Sequence, residues 1–358
     1  MESFCVSATS ALGKAGIEFP RLCLGTHQLG GDWGDSIGGT VSALLAAIDR
    51  GVTFFDTSES YGEGRANQEF AAGVLSRSVS LRDSITICAK IGLRHDPSRP
   101  SRQVRDASPE HLREAVERSL RTLGTSYVDI VMLHFPDPTR EVAETVGVLQ
   151  DMVDTGRARA FGVSNVTPAE LADFASAGRP TAAQFPLSLL SGQPGLVLDE
   201  ACADLGLVGM AWAPLAQGLL TSSPPRPTDT GLGDYRRHTP WFNDGWWEAR
   251  LHVVDQIGAL AGEAGLTVAQ LSLGWVLSKA SATIPVVGVE SIAQLDENLA
   301  ALDRILDPPL LRALDTLASE VPDMPLLDAI PRRTDGAPAW GRVDDTKSQS
   351  RRSGVSHG

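Results

Sequence analysis

The sequence predicts a single parallel α/β barrel of the (β/α)8, or TIM-barrel, type. Short apolar runs alternate with segments of helical spacing along most of the 358 residues, without a break in composition. Three of the apolar runs end at a titratable residue: residues 52–55 before Asp56, 85–89 before Lys90 and 128–133 before His134. The carboxyl ends of the strands of such a barrel meet at one mouth, where enzymes of this architecture carry out their chemistry. The pattern therefore predicts a catalytic mouth.

Composition restricts the classes of function. The 44 acidic residues outnumber the 31 basic ones, which argues against a general nucleic-acid-binding protein. No apolar stretch is long enough to span a membrane, and the first ten residues, MESFCVSATS, lack the pattern of a secretion signal. The four cysteines are scattered without a CxxC pair, which favours reduced thiols in the cytosol and argues against a zinc site. We therefore expect a cytoplasmic protein that holds no metal and binds neither nucleic acid nor membrane.

The strand–helix units follow one another in order. A hairpin and the first barrel strand occupy residues 10–26, and this strand ends near Gly25. Later strands are predicted at residues 53–55, 85–90, 128–134, 158–163, 181–184, 207–212 and 283–287. Helices are predicted at residues 40–50, from 67, 108–123, 140–155, from 167 and 199–205. Glycines end three of these helices, and Ser108 is placed to cap one. The long polar segment 94–107 is predicted to be a loop.

A doubly wound open sheet is the alternative architecture. It normally has a GxGxxG turn after its first strand, and the segment GTHQLGG does not fit that spacing. The alternative is weakened for this reason, and the barrel is the fold that we predict.

Two segments depart from the regular repeat. A long loop over residues 221–247 follows the seventh strand, and its four large aromatic residues favour a partly ordered flap over the mouth. Residues 307–320 predict an extra helix, and residues 341–358 lack core-forming residues and predict disorder. We therefore predict a barrel domain over residues 1–322 and a C-terminal extension with a partly disordered tail over residues 323–358.

The motifs at the three strand ends resemble those of the aldo-keto reductases. They are FFDTSESYGEG, which contains Asp56 and Tyr61, ITICAK, which ends at Lys90, and DIVMLHFPD, which contains His134. The resemblance covers roughly residues 10–320. It implies NAD(P)H-dependent reduction of an aldehyde or ketone to an alcohol, and an N-terminal hairpin that plugs the bottom of the barrel.

The four residues implied by the resemblance suit that reaction chemically. Reduction by a hydride leaves an alkoxide that needs a proton, and Tyr61 is the implied general acid–base. The usual pKa of tyrosine is about 10, and a nearby Lys90 ammonium favours the tyrosinate and lowers that pKa. Asp56 supplies the counter-charge that a buried ammonium requires. His134 is implied to donate a hydrogen bond to the carbonyl oxygen and orient the substrate.

The resemblance also implies a set of residues that bind a nicotinamide cofactor. Ser164, Asn165 and Gln184 resemble the residues that bond to the carboxamide, and Trp212 lies where the family has an aromatic residue stacked on the nicotinamide. The other implied cofactor residues are Gly25 and Thr26 after the first strand, Pro214, Leu215, Gln217, Gly218 and Leu220 in the pyrophosphate loop, and Gly288, Glu290, Ser291, Gln294, Glu297 and Asn298 at the adenosine end.

One residue departs from the family pattern and leaves the cofactor open. Many relatives have Arg or Lys where this chain has Glu290, and a cation there neutralises the 2′-phosphate of NADPH. A carboxylate repels that phosphate and can accept a hydrogen bond from the free 2′-hydroxyl of NADH. The resemblance implies NADPH, whereas Glu290 suggests NADH, unless its side chain points to solvent and another residue binds the phosphate.

Residues around the mouth suggest the kind of substrate. His27, Trp33, Trp241 and Trp246 are the candidate substrate contacts, and their size suggests a bulky small-molecule carbonyl compound. Two alternatives to a general reductase remain: a cofactor-sensing regulatory subunit of the same fold, and a biosynthetic ketoreductase of narrow specificity. The sequence does not indicate the oligomeric state.

Overall fold

The computed structural model of the chain describes residues 9–12, 16–31, 37–78, 80–96, 99–191, 193–225, 236, 239–243, 247–279 and 283–321. The strands, numbered along the chain, are β1 Thr9–Leu12, β2 Glu18–Pro20, β3 Cys23–Gly25, β4 Phe54–Ser58, β5 Thr86–Ile91, β6 Leu93–Asp96, β7 Arg99–Arg105, β8 Val128–Leu133, β9 Ala158–Ser164, β10 Ala182–Pro186, β11 Val208–Trp212 and β12 Ile284–Val287. Eight of them close into a barrel in the order β10-β11-β12-β3-β4-β5-β8-β9. All neighbours in it are parallel, so the predicted fold class is confirmed.

Helices follow every barrel strand. They are α1 Ile37–Asp49, α2 Arg65–Gly73, α3 Leu81–Ser84, α4 Pro109–Leu123, α5 Val142–Asp154, α6 Pro168–Ala177, α7 Gln193–Leu205, α8 Pro240–Asn243, α9 Trp247–Ala264, α10 Val268–Leu277, α11 Ile292–Ala301 and α12 Pro308–Glu320. The predicted extra helix is confirmed as α12. Gly124 follows α4 with a φ of 68°, a left-handed conformation that favours glycine and ends the helix as predicted.

The barrel strands separate two apolar layers. Side chains alternate between the two faces of a strand, so Phe54 on β4 and Cys88 on β5 pack inside the barrel. Phe55 and Ile87, their neighbours in sequence, pack outside it against the helices. The same alternation directs Asp56 and Lys90 inward, each two residues further along its strand, towards the carboxyl-terminal mouth.

The hairpin of β1 and β2 lies against the opposite end of the barrel. The two strands are antiparallel, as the predicted N-terminal hairpin requires. Phe19 on β2 belongs to the inner apolar cluster, and its ring meets that of Phe54 edge-on at 5.6 Å between centroids. Because Phe54 is the first residue of β4, the hairpin covers the amino-terminal end of the barrel and leaves the other end for the site.

The prediction of a loop over residues 94–107 is wrong. Strands β6 and β7 pair there as an antiparallel hairpin. Its polar sequence has no apolar alternation, because the hairpin is held by backbone bonds and by the ion pair between Arg94 and Asp106, 2.7 Å apart. Ser108 precedes α4, but its side chain makes no capping bond to that helix; its backbone N–H donates to Asp106 instead.

The predicted flap over residues 221–247 lies only partly within the described residues. Its described portion includes α8, where Trp241 and Phe242 are buried in the outer apolar layer. The proposed C-terminal extension from residue 323 lies outside the described residues. Among the helices that are described, none is by itself long and apolar enough to cross a membrane, although α9 and α10, bent by 91°, pass that test as a pair.

Candidate active site

The carboxyl ends of neighbouring strands bring an ion pair to the mouth of the barrel. Lys90 on β5 donates a hydrogen bond to the carboxylate of Asp56 on β4, and the two side chains are 1% and 3% exposed. Gln184 on β10 donates to the other carboxylate oxygen at 3.0 Å. A buried charge is stable only when it is paired and hydrogen-bonded, and both conditions are met here.

The ion pair keeps Lys90 charged. Burial alone disfavours an ammonium group, but the carboxylate of Asp56 and the adjacent Tyr61 favour it, and together they hold the pKa of Lys90 well above its usual range. The mouth therefore contains a fixed positive charge.

Tyr61 lies directly after β4, at the start of a short 3-10 helix, Tyr61–Gly64. The Lys90 ammonium is 5.2 Å from the centre of its ring, and the His134 ring meets the Tyr61 ring edge-on at 5.9 Å between centroids. His27 covers the tyrosine by stacking on it at 4.2 Å. The structure thus places the four residues predicted to be catalytic in one group, with His27 beside them.

His134 follows β8 and is uncharged. Burial lowers its pKa well below the usual range, and the positive charge of Lys90 and the nearby His27 lower it further. Its Nδ1 lies 3.2 Å from the hydroxyl of Ser58 and 3.5 Å from that of Ser60. A neutral imidazole carries one N–H, so the hydrogen bonding of these serines to Nδ1 influences which ring nitrogen holds the hydrogen.

The loop that carries Tyr61 is fixed by residues that the sequence analysis missed. Gln103 on β7 donates to the backbone carbonyl of Ser60 at 2.9 Å. The carboxylate of Glu59, whose side chain is 9% exposed, lies 3.1 Å from Arg118 on α4. The missed hairpin therefore supplies one of the two anchors of the loop.

Residues on the far side of the barrel form a second wall of the mouth. Asn165 has a left-handed φ of 57°, donates to the backbone carbonyl of His134 at 2.9 Å and accepts a bond from the Trp212 ring nitrogen at 3.0 Å. The hydroxyl of Ser164 is buried and has no hydrogen-bond partner within the described structure. A buried donor of this kind needs a partner, and a bound amide group would supply one.

The loop after β11 has an unusual backbone. Ala213, Ala216 and Gln217 have φ angles of 50°, 48° and 57°. Left-handed conformations are costly for residues other than glycine and cluster at ligand-binding sites. Pro214 and Leu220 are buried, whereas Leu215, Gln217 and Gly218 are partly exposed.

The loop between β12 and α11 contains the third predicted cofactor segment. At Gly288, a Cβ atom would lie 1.9 Å from the Gln28 side chain, so only glycine fits this backbone beside Gln28 as it is placed. Ser291 caps α11 by accepting from the backbone of Gln294, whose side chain accepts from the backbone N–H of Glu290 at 2.7 Å. These polar residues thus order the turn, and further predicted members are Glu297, partly exposed, and Asn298, buried.

The remaining predicted residues are placed as follows. Gly25 ends β3 and pairs with Asp56, and the hydroxyl of Thr26 donates to that of Thr57 at 2.8 Å. Trp241 is 1% exposed and packs in the core, and Trp33 and Trp246 lie outside the described residues. Within the described part of the chain, no group of three or more His, Cys, Asp or Glu side chains could hold a metal ion.

Together, the fold and the charges at its mouth define a protein of the TIM-barrel class that has a tyrosine beside a fixed, buried cation. The chain belongs to the Aldo/keto reductase family, whose model matches residues 21–318. Members of this family are NAD(P)H-dependent oxidoreductases that act on carbonyl groups, and this protein is therefore an enzyme of that kind.

Similar proteins come from bacteria and yeast. The chain is 29% identical over 290 residues to aldo-keto reductase YhdN of Bacillus subtilis, covering 80% of this chain and 86% of the relative. It is 28% identical over 283 residues to aldo-keto reductase yakc [NADP(+)] of Schizosaccharomyces pombe, covering 78% and 82%. The solved structure of a glycerol dehydrogenase from Gluconobacter oxydans is similar with a TM-score of 0.76 and 26% identity, covering 91% of this chain and 99% of that one.

Proposed function

We propose that this protein reduces an aldehyde or a ketone to an alcohol and that Tyr61 is its general acid. The observation that carries the proposal is the position of Tyr61 between Lys90, 5.2 Å from its ring centre, and His134. A nicotinamide cofactor, when bound, would supply a hydride to the carbonyl carbon. The carbonyl oxygen then takes the hydroxyl proton of Tyr61, and the alcohol and a tyrosinate result.

The charges around Tyr61 support this role. The tyrosinate that remains after proton transfer is an anion, and the Lys90 ammonium stabilises it. Asp56 keeps Lys90 charged and in place. A neutral His134 donates one hydrogen bond to the carbonyl oxygen, which aligns the substrate and stabilises the negative charge that develops there.

The residues at the mouth fit a nicotinamide cofactor. The unpartnered hydroxyl of Ser164 and the side chain of Asn165 suit its carboxamide, and the Trp212 ring, held by Asn165, suits its ring face. The strained loop after β11 suits its pyrophosphate, which approaches backbone amides closely, and the turn at Gly288 suits its adenosine end.

We further propose that Glu290 weakens the preference for NADPH. A carboxylate beside the adenosine ribose repels a 2′-phosphate, so NADH should bind about as tightly as NADPH or more tightly. One relative is named for NADP(+), which makes NADPH the rival proposal. Binding can be followed through the fluorescence of the seven tryptophans.

A charge-reversal variant tests this preference. Glu290→Arg should increase NADPH affinity at least about tenfold, since a charge-assisted bond contributes roughly 1.5–3 kcal/mol, and should leave NADH affinity nearly unchanged. Glu263→Arg, the same change at an exposed position of α9, is the control. Binding of NADPH to the unchanged protein at least tenfold more tightly than NADH at moderate salt would contradict the proposal.

The acid role is tested with Tyr61→Phe. This variant should keep its affinity for the cofactor and lose reduction by several orders of magnitude, because the ring remains and only the proton donor is removed. Tyr127→Phe, at a tyrosine that packs against Arg82, is the matched control and should retain activity. Near-normal turnover in Tyr61→Phe would remove that residue from the acid role.

Turnover also separates the alternatives. Binding of the cofactor followed by oxidation of NADPH or NADH with a panel of aldehydes and ketones indicates a general reductase. Binding without turnover on that panel favours a cofactor sensor or an enzyme of narrow specificity.

Of the candidate substrate contacts, His27 lies at the mouth, where its ring stacks on that of Tyr61. We propose from this position that the substrate is a bulky carbonyl compound.

We also propose that the protein is located in the cytoplasm. Cys23, Cys88 and Cys202 are buried and free, and thiols remain reduced in that compartment.

A further inference from the structure

Ser58 is the last residue of β4 and lies fully buried behind the predicted catalytic group. It follows Phe54 and Asp56 along the inner face of the strand and is paired in register with Lys90 on β5. Its hydroxyl lies 3.2 Å from Nδ1 of His134. The reaction proposed above assigns no role to Ser58.

The hydrogen bonds of the Ser58 hydroxyl leave two arrangements. A hydroxyl donates one hydrogen and accepts up to two. Ser58 accepts from the backbone N–H of Ser60 at 3.2 Å, and the hydroxyl of Ser60 lies 2.9 Å away. The single hydrogen of Ser58 has three acceptors within reach, the backbone carbonyl of Lys90 at 3.3 Å, the Ser60 hydroxyl and Nδ1 of His134. In the first arrangement Ser58 donates to Lys90 or to Ser60, and His134 donates from Nδ1 to Ser58. In the second, Ser60 donates to Ser58 and Ser58 donates to Nδ1 of His134.

Only the second arrangement gives His134 a donor for the substrate. His134 is neutral, so it has a single N–H. If Nδ1 holds that hydrogen, Nε2 presents a lone pair, which repels a carbonyl oxygen. If Ser58 donates to Nδ1, Nε2 holds the hydrogen. The described hydrogen bonds of the His134 ring both involve Nδ1, so the Nε2–H is available to a ligand.

We propose that Ser58 is a positioning residue that holds His134 in the tautomer with its hydrogen on Nε2. The chain of bonds runs from the Ser60 hydroxyl to Ser58 and from Ser58 to Nδ1 of His134. This proposal rests on the proposed reduction for its purpose, but the tautomer itself is a property of the protein that can be measured without turnover.

The tautomer can be read directly by nitrogen NMR. In protein labelled with ¹⁵N-histidine and kept near pH 7.5, protonated and bare ring nitrogens give well-separated signals. His134 can be assigned among the seven histidines by the signal lost in His134→Gln. We expect a protonated Nε2 and a bare Nδ1 in the unchanged protein, whereas a protonated Nδ1 would overturn the proposal.

Two serine variants locate the effect. Ser58→Ala should mix the two tautomers and lower kcat/KM by about tenfold or more, because a misplaced catalytic group is costly, with no change in cofactor affinity. Ser60→Ala removes the hydroxyl that donates to Ser58 but leaves the Ser58 hydrogen for Nδ1, so this variant should keep the Nε2–H tautomer. An unchanged His134 spectrum in Ser58→Ala would refute the proposal.

A third variant guards against misfolding. Ser58→Cys keeps the shape of the side chain but has a weaker donor, so its tautomer population should lie between those of the unchanged protein and Ser58→Ala. If the spectra behave as expected and Tyr61→Phe remains active, the tautomer assignment stands and the proposed acid fails. If the spectra do not change between variants, the role of Ser58 fails independently of the reaction.

Discussion

Glu59 anchors the Tyr61 loop to helix α4, and its burial should make the stability of the protein depend on pH. Burial raises the pKa of Glu59 from 4.5 to about 7, although the charge and the hydrogen bond of Arg118 oppose the rise. His111 lies 3.9 Å away, but burial lowers its pKa, so it adds little positive charge at neutral pH. The folded protein therefore binds this proton more tightly than the unfolded chain does.

The sign and size of the effect follow from that difference. The stability that Glu59 contributes is fully present below pH 4.5 and is lost as the pH rises through about 7. At about 1.4 kcal/mol for each pH unit, the gap corresponds to roughly 3 kcal/mol. Glu59→Gln imitates the protonated side chain, so the variant should lose this pH dependence.

Urea unfolding between pH 4.5 and 8 measures the effect. The free energy of unfolding of Glu59→Gln, relative to the unchanged protein, should rise by up to roughly 3 kcal/mol as the pH increases across this window. Tryptophan fluorescence and circular dichroism should give the same transition for the comparison to be valid. Glu114→Gln is the control, because Glu114 also contacts Arg118, at 3.6 Å, but is 62% exposed. Parallel curves for the unchanged protein and Glu59→Gln would refute the reasoning.

Two further predictions concern the same loop and the ion pair behind it. Asp56→Asn leaves the Lys90 ammonium buried without its counter-charge, so urea unfolding at pH 7 should show a loss of about 3–5 kcal/mol. The loss should shrink as the pH rises, because burial without Asp56 favours the neutral amine of Lys90. Equal stability of the variant and the unchanged protein at pH 7 would contradict this. Gly62→Ala places a Cβ atom 2.1 Å from the backbone oxygen of Gly30. It should lower the melting temperature far more than Gly124→Ala, because Gly124 has a similar positive φ but no neighbour within 4 Å of its Cβ position. Similar shifts in the two variants would show that the loop moves to accommodate the added atom.

The sequence predicted the site residues that lie at the ends of apolar strands. Asp56, Lys90 and His134 each follow an apolar run, and parallel strands of a barrel must bring such ends together. Tyr61 was found through the motif around it. Strand positions agree to within a few residues, because a strand buried on both faces is a short, continuous apolar run.

The sequence could not predict contacts that depend on packing between distant segments. Most residues of the β6–β7 hairpin are polar and its apolar residues do not alternate, so its pairing leaves no periodic signal, and Gln103 was missed with it. Glu59 and Arg118 are 59 residues apart, and nothing in either local sequence marks them as partners. Ser58 lies inside a recognised motif, but its bond to His134 becomes visible only when the register of β4, β5 and β8 is known.

The buried cysteines allow the opening of each apolar layer of the barrel to be measured separately. Cys23 and Cys88 belong to the inner layer and Cys202 to the outer one. Burial raises the pKa of the first two thiols and raises that of Cys202 to about 12, so all three resist alkylation while the barrel is closed. Their labelling rates, resolved by peptide mass spectrometry, therefore measure how often each layer opens in the native protein. Slower labelling of the inner pair than of Cys202 would mean that the outer helices detach while the cylinder of strands stays intact.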